Sequence, residues 1–166
     1  KAEFPSIPIV ADMKTMDTGR LEMEIAAKAG ASFAVVMGSA AESTIRECIE
    51  AGRNFGIGVG VDTLGVADPA AFAKKVQDMG ADFIAVHIPI DDQMAGKDPL
   101  ERVRAVRLAA PDITVAAAGG IHSESAPGVV SAGADIIIVG GAITKAEDAK
   151  KATEDIKRAM ETGKPV

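Results

Sequence analysis

The chain has 166 residues, 48% of them hydrophobic and 25% charged, with a formal net charge of −6 and neither Trp nor Tyr. That length can bury a sizeable core and that composition excludes a disordered chain, while the acidic balance and the missing large aromatics argue against a nucleic-acid binder. No apolar run approaches the roughly 20 residues of a membrane helix, no secretion signal is read at the start, and the single Cys48 forbids an internal disulfide, so a cytoplasmic protein is expected.

Six apolar runs predict strands at residues 7–11, 33–37, 57–61, 83–86, 113–117 and 136–139. They are continuous rather than alternating, as in strands covered on both faces. The first is followed by Asp12-Met13-Lys14-Thr15-Met16-Asp17. Asp12 and Lys14 are two apart and share a direction off the strand end. An ammonium flanked by carboxylates there can hold a metal, polarise an oxygen and relay a proton; a surface salt bridge with a helix cap is the competing reading. The second strand leads to a helical stretch over 43–55, in which Cys48 has no Cys or His at ligand spacing and is structural.

The third strand ends at Asp62, which either lines a site or serves a turn. Asp68-Pro69 predicts a helix start, and Phe72, Val76 and Met79 give that helix its apolar stripe. After the fourth strand comes His87, a natural base near neutral pH, opening a polar loop that contains Asp91. A packed or surface histidine is the alternative. Asp98-Pro99 marks another helix start. Gly119-Gly120 follows the fifth strand and Gly140-Gly141 the sixth. Two glycine pairs in the last two loops point to phosphate binding, because glycine lets backbone N–H groups come close to the anion. His122 reads as exposed, and Ala152, Ile156, Ala159 and Met160 stripe a final helix.

Strands alternating with helices imply right-handed crossovers and a parallel sheet of TIM-barrel type, with six βα units in a single domain spanning residues 1–166. Internal similarity supports this. Gly30-Ala31-Ser32, Gly80-Ala81-Asp82 and Gly133-Ala134-Asp135 each precede a strand, about two βα units apart.

The run Asp12-Met13-Lys14-Thr15-Met16-Asp17 resembles the Asp-x-Lys-x-x-Asp signature of the orotidine-monophosphate decarboxylase superfamily. Its Thr-Met-Asp wording is similar to the 3-hexulose-6-phosphate synthases, archaeal ones in particular. His87 with Asp91 and Gln93, Ala118-Gly119-Gly120-Ile121 and Val139-Gly140-Gly141-Ala142 resemble later loops of that family. The resemblance implies an aldol reaction of ribulose 5-phosphate with formaldehyde, assisted by Mg²⁺, in a homodimer. It implies Asp12 as a metal ligand, Lys14 beside the enediolate oxygen and Asp17 reaching into the partner's site. His87 would be the base, and Gly119, Gly120, Gly140 and Gly141 would hold the phosphate, while Asp62, from its place at a strand end, and Asp91 are expected to line the substrate. It also implies an eight-unit barrel, of which these six strands would be the third to eighth, leaving the barrel incomplete or opened. Alternatives within the resemblance are a 3-keto-gulonate-6-phosphate decarboxylase, a Schiff base on Lys14, or a catalytically impaired phosphosugar-binding fragment. Ile90 stands where the decarboxylases typically carry an Arg, which favours the synthase.

Overall fold

The computed structural model of the chain describes residues 1–87 and 99–166. Six parallel strands form one sheet in sequence order: β1 (Val10–Thr15), β2 (Phe33–Met37), β3 (Gly58–Asp62), β4 (Phe83–His87), β5 (Thr114–Ala118) and β6 (Ile136–Ile138). The helices among the described residues are α1 (Gly19–Lys28), α2 (Glu42–Phe55), α3 (Pro69–Met79), α4 (Pro99–Ala109), α5 (Ala126–Ser131), α6 (Gly141–Thr144) and α7 (Ala149–Thr162). The sheet curls into an open half-barrel with β1 and β6 as its edges.

Side chains alternate along a strand, so each strand serves two environments. Val36, Val59, Val61, Ile84, Val86 and Val115 point to the helices and meet Met23, Ile45, Val76, Val103 and Val106, all essentially without solvent exposure. The opposite, concave face carries Phe33, Val35, Phe83, Ala85 and Ala116. Gly60 is required there, because a Cβ would collide with the Phe83 ring. Phe33 and Phe83 pack edge to face with centroids 6.0 Å apart, roofing the glycine positions of β3. Toward the sheet edges the concave face stays open: Val10, Ile136 and Ile138 are 50%, 41% and 45% exposed.

The sequence repeats have a structural meaning. The residue that follows each Gly-Ala exchanges two hydrogen bonds with the preceding strand. The Ile9 N–H donates to Ser32 Oγ at 3.2 Å while the Ser32 N–H donates to the Ile9 carbonyl at 2.8 Å. Val59 and Asp82 repeat the exchange at 2.7 and 2.9 Å, and Val115 and Asp135 at 2.8 and 2.8 Å. Each exchange pins the start of a strand to the start of its next neighbour, which sets the parallel register. Arg107 strengthens the last one by binding Asp135 and the carbonyls of Pro111, Ile113 and Gly133.

Helix ends largely follow the expected chemistry. Asp68 Oδ1 accepts from the Ala71 N–H at 3.0 Å with Pro69 in the first turn, and Gly80 takes the left-handed conformation that ends α3. The strand bounds shift by one residue at β3, β4 and β5, so Asp62, His87 and Ala118 close their strands, and two further ends differ. The first strand covers Val10–Thr15 rather than residues 7–11, so Asp12 and Lys14 lie inside it. The cause is a bulge: the four steps from Ala11 to Thr15 span only the two steps from Ala34 to Val36 on β2. The last strand closes at Ile138, one residue early. The helix start expected at Asp98 falls outside the described residues.

Candidate active site

The strand ends converge on a cleft of about 740 Å³ along the concave face. Asp12 and Lys14 of β1, Asp62 of β3 and His87 of β4 line it, together with Ala118 and Val139, which immediately precede the two glycine pairs. Phe33, Val35, Phe83, Ala85 and Ala116 form an apolar floor, which strengthens electrostatic interactions above it by excluding water.

The bulge aims the β1 side chains. Lys14 adopts φ +49°, a left-handed conformation rare for a residue with a side chain. Its ammonium lies 3.0 Å from each Asp12 oxygen and 3.0 Å from Asp62 Oδ2. Asp62 is the hub of the site, with its side chain 4% exposed. Its Oδ1 accepts from the Leu64 N–H at 2.8 Å, and its Oδ2 also lies 3.0 Å from His87 Nδ1. The four groups therefore form one chain, Asp12–Lys14–Asp62–His87, running from β1 across to β4.

The electrostatics follow from these contacts. Burial works against the Lys14 charge, but the hydrogen bonds and attraction of Asp12 and Asp62 outweigh it and hold the ammonium above its ordinary pKa. Burial likewise favours a neutral Asp62; the bonds from His87, Leu64 and Lys14 overcome it and keep the carboxyl below its ordinary value.

Asp17 is exposed, at the turn into α1, where its Oδ1 accepts the Thr18 N–H at 2.7 Å. Thr18, at φ +50°, is the second non-glycine residue at positive φ among the described residues, so both of these outliers fall in the Asp12–Thr18 run, where strain marks functional segments. Asp91 lies outside the described residues. Gly119 and Gly120 take φ +110° and +64°. The β5 and β6 ends are paired through Ala118 and Ile138, which brings the Gly119-Gly120 and Gly140-Gly141 turns side by side. Gly141 opens α6, where the first N–H groups lack intrahelical partners.

Two residues not singled out in the sequence belong here. Lys145 lays Cδ and Cε 3.9 Å from where a Gly141 side chain would begin, which puts a cation beside the glycine turn. Its spacing of four residues from Gly141, one helical turn, is the signal that would have found it. Thr63 follows Asp62 and is 2% exposed; a threonine beside an acid carries no sequence signal of its own. His122 is exposed, and Cys48 is fully buried within α2, its thiol pushed up to about 12 by burial and the nearby acids. No group of three or more metal-ligating side chains occurs among the described residues, and no helix among them is long and apolar enough to cross a membrane.

The parallel half-barrel has close structural counterparts. Residues 1–156 match the Orotidine 5'-phosphate decarboxylase / HUMPS family, and the chain belongs to that family. Among its relatives, the 3-hexulose-6-phosphate synthase of Mycobacterium gastri is 38% identical over 160 residues, covering 96% of this chain and 77% of that protein. The crystal structure of 3-hexulose-6-phosphate synthase from Salmonella typhimurium superposes with a TM-score of 0.91 at 33% identity, over 98% of this chain and 77% of that one. The 3-keto-L-gulonate-6-phosphate decarboxylase of Vibrio cholerae is more distant. At 22% identity and a TM-score of 0.78, over 99% of this chain and 77% of that one, it shares the fold.

Proposed function

We propose that this chain is an aldehyde-lyase of the 3-hexulose-6-phosphate synthase type, joining formaldehyde to ribulose 5-phosphate to give arabino-3-hexulose 6-phosphate, reversibly. The observation that carries the reading is the Asp12–Lys14–Asp62–His87 chain on the cleft rim, in a protein more than 35% identical to a synthase. His87 would take the proton from the carbon beside the carbonyl. The electron pair left behind moves onto oxygen, forming an enediolate. Lys14, held protonated by its two carboxylates, offsets that charge. The enediolate carbon then bonds to formaldehyde carbon, and the new alkoxide accepts a proton. The raised Lys14 pKa favours this role over a Schiff base, which needs a neutral amine.

Magnesium takes oxygen donors and is commonly held by one or two carboxylates with water completing its shell. Both Asp12 oxygens contact Lys14, but at 59% side-chain exposure the carboxylate keeps solvent-accessible lone pairs for such an ion, whereas Asp62 is buried. Asp12 would thus hold the ion, which supplies further positive charge to the enediolate oxygens. The phosphate would sit on the Gly119-Gly120 and Gly140-Gly141 turns with Lys145 as its cation. Exposed Met16, Leu21 and Ile25 flank Asp17 at 54%, 55% and 49%, an apolar surface that fits a homodimer in which Asp17 reaches the partner's site. A cytoplasmic location accords with the phosphosugar substrate.

The direct test is formaldehyde consumption with ribulose 5-phosphate and Mg²⁺, with and without EDTA. Magnesium-dependent turnover that Lys14→Met abolishes is expected. Carbon dioxide release from 3-keto-gulonate 6-phosphate without formaldehyde consumption would replace this reading with the decarboxylase.

A further inference from the structure

His87 is gripped from two sides by consecutive residues at the end of β3. Its backbone N–H donates to Thr63 Oγ1 at 3.2 Å. Thr63 is itself fixed, because its N–H and its hydroxyl both donate to the Ala85 carbonyl, at 2.9 and 3.0 Å. The imidazole Nδ1 meets Asp62 Oδ2 at 3.0 Å. A neutral imidazole has one N–H donor and one lone-pair nitrogen, whereas an ionised carboxylate only accepts. Facing Asp62, Nδ1 must therefore carry the hydrogen. Nε2 is left with the lone pair, without a partner among the described residues, on a ring that lines the cleft. Lys14 and His87 share Oδ2, whose two lone pairs serve both donors, and Oδ1 is taken by Leu64. Asp62 has little left to offer a substrate.

We infer that Asp62 is a positioning residue: it fixes His87 as the Nδ1–H tautomer and turns Nε2 into the base, rather than binding substrate itself. Thr63 completes the device by fixing the backbone from which the imidazole hangs. This rests on the reading of His87 as the base, but its test needs no turnover.

The chain has two histidines, His87 and His122, so ¹⁵N-histidine labelling gives two imidazoles, and His122→Gln assigns them. At a pH where the rings are neutral, His87 is expected to show a protonated Nδ1 and an unprotonated Nε2. A dominant Nε2–H form overturns the inference. In Asp62→Asn, whose amide offers both a donor and an acceptor, His87 is expected to populate both tautomers, and an unchanged single tautomer counts against Asp62 as the cause. Kinetically, kcat should fall about 10- to 100-fold, as when partners that orient a functional imidazole are removed, with KM for ribulose 5-phosphate within about threefold by the same reasoning. A raised KM at unchanged kcat would make Asp62 a substrate ligand instead. The Nδ1–H form in a protein without synthase activity would leave the tautomer assignment standing and remove the synthase reading.

Discussion

Replacing Asp82 by Ala tests whether the Gly-Ala repeats are register clamps. The substitution leaves the backbone exchange from the Asp82 N–H to the Val59 carbonyl intact and removes only the carboxylate that accepts the Val59 N–H at 2.7 Å. A hydrogen bond to a charged group is worth about 1.5–3 kcal/mol. Val59 is 1% exposed, but Asp82 is a surface residue and water can reach the freed amide, so the low end applies, about 1.5 kcal/mol. For a chain of this size, that lowers Tm by about 3–6 °C. Asp82→Asn retains an acceptor oxygen and should lose no more than about 0.8 kcal/mol, roughly half of the bond, which is the share that charge adds. Asp82 and Asp135 clamp different strand pairs and share no partner, so their losses should add in the double alanine variant, to at least about 3 kcal/mol because Asp135→Ala also removes the Arg107 contact. Urea unfolding followed by far-UV circular dichroism measures all three, with an unchanged m-value as the sign that only stability has moved. An Asp82→Ala protein within about 0.5 kcal/mol of wild type, the usual range of neutral surface changes, would refute the clamp, as would Asn behaving like Ala.

Three further outcomes are expected. The Asp62 carboxyl is held below its ordinary 3.8, so the stability it contributes is present above that pH and lost as pH falls through the folded value. The gap in unfolding free energy between wild type and Asp62→Asn should therefore narrow below about pH 4, and a gap independent of pH would contradict the ionised hub. Cys48, buried and with its thiol pushed up to about 12, should resist iodoacetamide at neutral pH until the protein is unfolded in urea; labelling of the native protein at the rate of a free thiol would show the α2 packing to be wrong. Lys145→Ala should raise KM for ribulose 5-phosphate about tenfold, equivalent to about 1.4 kcal/mol of charge-assisted binding, with kcat little changed and Lys145→Arg close to wild type. An unchanged KM would remove Lys145 from the phosphate site.

Local signals carried most of the fold. Continuous apolar runs placed six strands within a few residues, and the helical stretch at 43–55, the Asp68-Pro69 start and the final apolar stripe placed α2, α3 and α7, because these signals depend on neighbours close in sequence. The three Gly-Ala segments even betrayed the two-unit repeat, although not that their third residue exchanges hydrogen bonds with an earlier strand. Lys14, Asp62 and His87 stood out because each polar residue ends or interrupts an apolar run. Thr63 and Lys145 did not, since their roles depend on what the fold brings to them.

By itself the sequence determined the alternation of strand and helix, the parallel sheet, and the set of titratable and glycine residues at the strand ends, since periodicity and turn chemistry act over a few residues. The tertiary structure decided the rest. The bulge at Asp12–Lys14 exists only through pairing with β2. The choice of Asp62 as hub depends on Lys14 and His87 arriving from positions 48 and 25 residues away. Hydrogen-bond geometry across strands has no periodic trace in the chain, so only folding could show which acid holds which base.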